Sequence, residues 1–242
     1  MEELKAFHEW NDQIFKEQKE QNLVDLHHTS HYGKSSASIF SDVLFNRANS
    51  QTLPYSLFKL HDEFISISKD IKYITAILFL LRPHIINPKE NEGKYLQNLE
   101  DRRYLMYTTF GIQAIYNFWD RLGDLLHLYF RTNIRLDKVT FGRMKDLIPD
   151  DLKSKTSYLR LIELYDEQKS IFDLRHDAVH HYQVETQQFW GVIENREDPE
   201  KIDRLNKEKE AYPEKMKHAL EICNVCFYLA LEIIAGLPIK ED

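Results

Sequence analysis

Residues 171–180 read Ile171-Phe172-Asp173-Leu174-Arg175-His176-Asp177-Ala178-Val179-His180, and the reading of the chain turns on them. With one residue every ~100° around a helix, Phe172, Leu174, Ala178 and Val179 point within about 100° of Ile171 and define the face that meets the rest of the protein. Arg175 falls near the middle of that apolar face. A guanidinium placed there requires a carboxylate or a phosphate opposite it, because an unpaired buried charge is strongly destabilising. His176 and His180, at i and i+4, lie with Asp173 on another side of the same helix. The segment therefore carries more polar chemistry than packing requires.

On either side of this stretch, apolar spacing near 3.6 recurs in nearly every long window, and strand alternation is weak and confined to Val184–Ile193. The pattern predicts a first helix over residues 2–24 with Phe7, Trp10, Ile14 and Phe15 on its inner side, then a loop over 27–36 by composition. A short helix follows over 38–47. The next runs from Thr52, a cap with Pro54 in the first turn, to Leu81, where Pro83 stops it. A loop over 88–93 precedes the longest helix, 94–131, suited to the spine of a bundle. Thr140 caps a short helix before Pro149, and the motif helix spans 154–182. Residues 183–199 read as a connector with a small hairpin through Gln188-Phe189-Trp190-Gly191. The last helical region, 200–235, restarts at Pro213 and ends at Gly236-Leu237-Pro238.

Arginine, a polar residue, three further positions and then histidine, late in a helix of an all-helical chain, resembles the signature of the HEPN superfamily. Many of its members are metal-independent ribonucleases acting as dimers. The likeness extends over roughly residues 100–182: an amphipathic helix from Ile115 to Leu126, a connector around Val139-Thr140-Phe141, and Leu161–Tyr165 leading into the motif. It implies an all-α, HEPN-like antiparallel helical bundle over residues 93–242, with residues 1–92 as an N-terminal helical extension packed on it. It also implies a homodimeric endoribonuclease without a cofactor, in which Arg175 stabilises the phosphate and His180 serves acid/base chemistry beside His176. His176 itself departs from the Asn or Asp often found after the arginine. Asn117, Asp120 and Asp124, spaced i, i+3, i+7, form one polar stripe. If their helix packs antiparallel to the motif helix, one of these carboxylates meets Arg175; a solvated edge explains the stripe equally well. Arg121, His181 and Tyr182 stand as RNA contacts, the last able to stack on a base.

Two other classes of function remain open. One is a non-catalytic HEPN-like module that binds RNA or a protein such as an antitoxin, its motif kept as a structural ion pair. The other is a metal-binding bundle using Asp173, His176 and His180, with a further ligand from the loop His27-His28-Thr29-Ser30-His31. Cys223 and Cys226 read as core residues, since a lone C-x-x-C lacks a second ligand pair. A formal net charge of −7 argues against a general nucleic-acid coat, so any RNA contact is local. Arg102, Arg103, Arg121, Arg131, Arg135, Lys138, Arg143 and Lys145 concentrate positive charge mid-chain, most of it on solvated helix faces. The first residues lack a signal-peptide pattern, the apolar windows 73–81 and 222–231 are too short to span a bilayer, and two cysteines make no disulfide framework. These features point to a cytoplasmic protein without a membrane partner.

Overall fold

The computed structural model describes residues 2–47, 54–87, 97–130 and 134–237. The expected cap at Thr52, the loop over 88–93, the helix start at Lys94, and Arg131 and Pro238 lie outside these residues. Eleven α-helices dominate the described chain: α1 (Glu2–Glu20), α2 (Ser36–Arg47), α3 (Pro54–Leu81), α4 (Leu99–Phe130), α5 (Phe141–Met144), α6 (Asp150–Lys153), α7 (Thr156–Glu167), α8 (Lys169–His180), α9 (Val184–Glu194), α10 (Pro199–Glu210) and α11 (Tyr212–Ala235). The fold is all-α. Its contacts divide it into two units, the first drawn from Met1–Leu23, Asp70–Gln113 and Ser170–His218, the second from Val24–Lys69, Ala114–Lys169 and Ala219–Asp242. Both units combine residues from before and after position 92.

In the first unit, α1 ends in a left-handed turn at Asn22, φ 51°. The Leu23 and Asn22 amides donate back to the Gln18 and Lys19 carbonyls at 2.9 and 3.1 Å, which closes the helix four residues before the expected end. Ile14 is buried as expected, but Phe7 and Phe15 are 60% and 57% exposed. Their side of α1 therefore faces solvent. The start of α4 is held by a reciprocal cap: the Asp101 amide donates to Asn98 Oδ1 at 2.7 Å and the Asn98 amide to Asp101 Oδ2 at 3.4 Å. Asp101 also forms a buried ion pair with Lys209 of α10, and Lys209 Nζ donates to the Ile86 carbonyl at 3.1 Å. Tyr104 donates to the Lys209 carbonyl at 2.6 Å.

Residues 183–199, expected as a connector with a hairpin, instead contain helix α9. Val184, Gln188 and Val192 recur every fourth residue and are all buried, so helical periodicity outweighs the weak alternation. A Cβ at Gly191 would meet Leu205 of α10 at 3.3 Å, so the glycine accommodates that close approach. The expected single motif helix is likewise two: α7 stops at Gln168, a buried residue at φ −82°, ψ 0°, whose amide donates to the Tyr165 carbonyl at 3.1 Å.

The second unit packs rings against rings. Phe64 lies 5.1 Å from Phe118 and 5.0 Å from Phe227 between ring centroids, and Trp119, Phe141 and Tyr165 form a second cluster with centroids 4.8 to 5.1 Å apart. Gly123 of α4 permits this second arrangement, because a Cβ there would come within 2.6 Å of the Phe141 backbone nitrogen. Cys223 and Cys226 are free thiols in this core, and burial pushes both up from the ordinary thiol range. The stretch over 27–36 is more ordered than a loop. A 3-10 turn at Leu26–His28 is capped by Asp25, and a two-stranded hairpin, β1 (Ser30–His31) and β2 (Lys34–Ser35), turns through Tyr32 and Gly33, both at positive φ.

Candidate functional site

Helix α8 presents the motif. Ile171 is buried, Phe172, Leu174, Arg175 and Ala178 are half-buried, and His176, Val179 and His180 face solvent. Val179, expected inside, is 52% exposed, so the packed face is narrower than the sequence pattern indicates. Because Arg175 stands near that face, its stem packs while His176 and His180 project from the helix. Their rings lie 4.6 Å apart between centroids, tilted by 49°, and His181 is 6.0 Å from His176. Three imidazoles thus gather at the end of α8.

The helix ends just beyond them. The amides of His181 and Tyr182 both donate to the Asp177 carbonyl, at 2.8 and 3.0 Å. Tyr182 leaves its ring 65% exposed, while its carbonyl accepts from Gln187 Nε2 of α9 at 2.6 Å. That bond ties the end of the motif helix to the next helix. Tyr182, Thr186, Gln187, Trp190, Gly191 and Glu194 line a groove there. Weak strand-like alternation hides this face in the sequence, and the four-residue recurrence of Thr186, Trp190 and Glu194 is the signal that marks it.

The polar stripe of α4 belongs to the second unit and the motif to the first. Asn117 is exposed and Asp120 half-buried. Asp124 pairs with Arg121 on its own helix, Oδ2 to Nη1 at 2.8 Å. Burial raises the Asp124 carboxyl above its ordinary range, against the opposing pull of Arg121 and His127. Elsewhere in the basic region, Arg135 pairs with Asp137, Lys145 with Asp146 and Arg102 with Glu185, and Arg143 donates to the Lys138 carbonyl. Charge there is largely met by neighbours, as solvated helix faces require.

Among the described residues, no group of three or more His, Cys, Asp and Glu side chains is placed to hold a metal ion. Asp173, His176 and His180 therefore do not form a ready ligand set. In the hairpin region, His28 Nδ1 bonds Asp25 Oδ1 and His31 Nε2 bonds Glu232 Oε1, both at 2.8 Å. Helix α11 is long and apolar enough to cross a membrane, beyond what its short apolar window indicated, but 67% of that stretch is buried inside the protein. A core helix meets the same description.

A profile of the Cthe2314-like HEPN family matches residues 51–232, well over half of the chain. No curated protein and no solved structure matches it.

Proposed function

The chain belongs to the HEPN superfamily, and from that premise we propose that it is a metal-independent endoribonuclease acting as a homodimer. The observation that carries this reading is the motif itself: a half-buried Arg175 with His176 and His180 exposed beside it, their rings 4.6 Å apart. RNA supplies the nucleophile. The ribose 2′-oxygen forms a bond to the adjacent phosphorus while the bond from phosphorus to the 5′-oxygen breaks. One proton leaves the 2′-hydroxyl and one reaches the departing 5′-oxygen. Imidazoles are suited to moving both near neutrality, and we assign that work to His180 with His176 beside it. Arg175 binds the non-bridging oxygens through its planar fork, where charge develops in the transition state.

Arg175 and His180 are ~140° apart on one helix, five steps of about 100°. One phosphate is reached most simply by residues from two facing motifs, which supports the dimer. A surface suited to a second protomer exists in the same unit: Leu99, Met106 and Phe110 form one stripe on α4 at i, i+7, i+11, and they are 55%, 41% and 52% exposed. His181 and Tyr182 act in this reading as RNA contacts.

The test uses an RNA carrying one 2′-deoxy sugar at a mapped cleavage position. Loss of cleavage at that position alone supports the mechanism. Cleavage that continues there contradicts it, and absence of cleavage on any RNA favours the module that only binds RNA or a protein partner.

A further inference from the structure

The groove following the motif has a chemistry that selects among bases. On α9, Thr186, Gln187, Trp190 and Glu194 fall within about 100° of one another around the helix, turned away from the buried Val184, Gln188 and Val192. Trp190 is 52% exposed, and Tyr182 stands at the mouth with its ring in solvent. Trp190 packs edge to face on Phe189, centroids 5.5 Å apart, but the rings of Trp190 and Tyr182 both stay largely exposed. They offer π faces to an unstacked base, and such bases are what proteins read in single-stranded RNA. Gly191, at the packed edge of this face, lets Leu205 of α10 approach closely, while Trp190 and Glu194 stand one turn apart on the open side. Glu194 is exposed at the end of the same face, and no ion pair or hydrogen bond engages its carboxylate among the described residues.

A carboxylate accepts two parallel hydrogen bonds and donates none. Of the four RNA bases, guanine alone presents two adjacent N–H donors on its Watson–Crick edge, N1–H and the 2-amino group. Adenine and cytosine each offer one amino group beside a bare ring nitrogen, which repels a carboxylate. Uracil offers one N–H between two carbonyls. We propose that this groove is a guanine-binding subsite, with Trp190 and Tyr182 stacking the base and Glu194 reading its edge. Only His181 separates His180 from Tyr182, and Gln187 locks Tyr182 to α9, so a base held here lies next to the motif. As a specificity subsite the proposal rests on the ribonuclease reading, but its ligand is measurable without any cleavage.

The experiment measures binding of the four nucleoside 3′-monophosphates to the intact protein by equilibrium dialysis, alongside RNA cleavage. The guanosine compound should bind at least about 10-fold more tightly than the other three, the scale of one bidentate contact. Glu194→Gln should erase most of that preference while leaving residual binding, and Trp190→Ala should weaken all four by about 10-fold. Circular dichroism of each variant verifies that the helices persist. Equal binding of the four compounds, no binding of any, or a guanine preference that survives Glu194→Gln overturns the subsite. Guanine preference without RNA cleavage overturns the ribonuclease reading alone, and cleavage without guanine preference overturns the subsite alone.

Discussion

Arg175 and His180 occupy different environments on one short helix, and substitution should separate their roles. His180→Ala and Arg175→Ala should each lower RNA cleavage by roughly 10²-fold or more, the usual scale for a lost proton-transfer or charge-stabilising group. Thermal unfolding of the same preparations should differ. His180 is exposed, so its truncation should leave the melting temperature nearly unchanged, whereas removing the half-buried Arg175 should cost about 1 kcal/mol or more of packing and polar contact. Destabilisation by Arg175→Ala without any wild-type cleavage would favour a structural motif. His61, between Phe40 at 4.9 Å and Phe227 at 6.2 Å, gives a separate prediction. Burial lowers its pKa, with Asp62 pulling the other way and His27 adding to the lowering. The unfolded chain therefore binds more protons at His61 as pH falls through about 6.5, and the stability present above that value is lost towards acid. His61→Phe should flatten the fall in melting temperature between about pH 7.5 and 5.5, and an unchanged slope would contradict this assignment. The motif residues were legible because charge in an apolar helical pattern is a local signal. The outward turn of Val179 was not, since it depends on how closely neighbouring helices approach.

Helix ends decide much of the rest. The spine helix starts at a cap whose second residue, Asp101, also meets Lys209 far along the chain. Asp101→Ala should destabilise by about 3–5 kcal/mol, because it strands a buried ammonium as well as opening the cap; a denaturant midpoint close to that of the wild type would contradict the pairing. Gly123→Ala should also destabilise, by roughly 1–3 kcal/mol from overpacking against the Phe141 backbone, although alanine is intrinsically favoured over glycine in a helix by about 1 kcal/mol. A stabilised variant in calorimetry would show that the two segments part easily. Most helices were legible from apolar spacing: α3, α4 and the restart at Pro213 need only local pattern and proline. α9 was not, because Phe189, Trp190 and Ile193 are apolar residues turned to solvent and blur its period. The break at Gln168 carries no glycine or proline to announce it. The pairing of Asp101 with Lys209 joins residues 108 apart, a separation at which local spacing has no reach.

At the scale of the whole molecule, the all-α HEPN fold was legible from composition, periodicity and the motif together, whereas assembly and chemistry depend on surfaces the single chain exposes. If the proposed homodimer forms through the Leu99, Met106 and Phe110 stripe, Met106→Glu with Phe110→Glu should shift the protein to a monomer by light scattering and reduce cleavage in parallel. A dimer that persists would place the contact elsewhere. In the proposed reaction RNA itself provides the nucleophile while Arg175 and His180 handle charge and protons. The direct test is mass-spectrometric identification of product ends after RNA is incubated with the protein in excess chelator. Undiminished cleavage is expected, leaving a 2′,3′-cyclic phosphate, or its hydrolysis product, opposite a free 5′-hydroxyl. Cleavage abolished by chelator and restored by a divalent metal, or products bearing a 5′-phosphate, would contradict it.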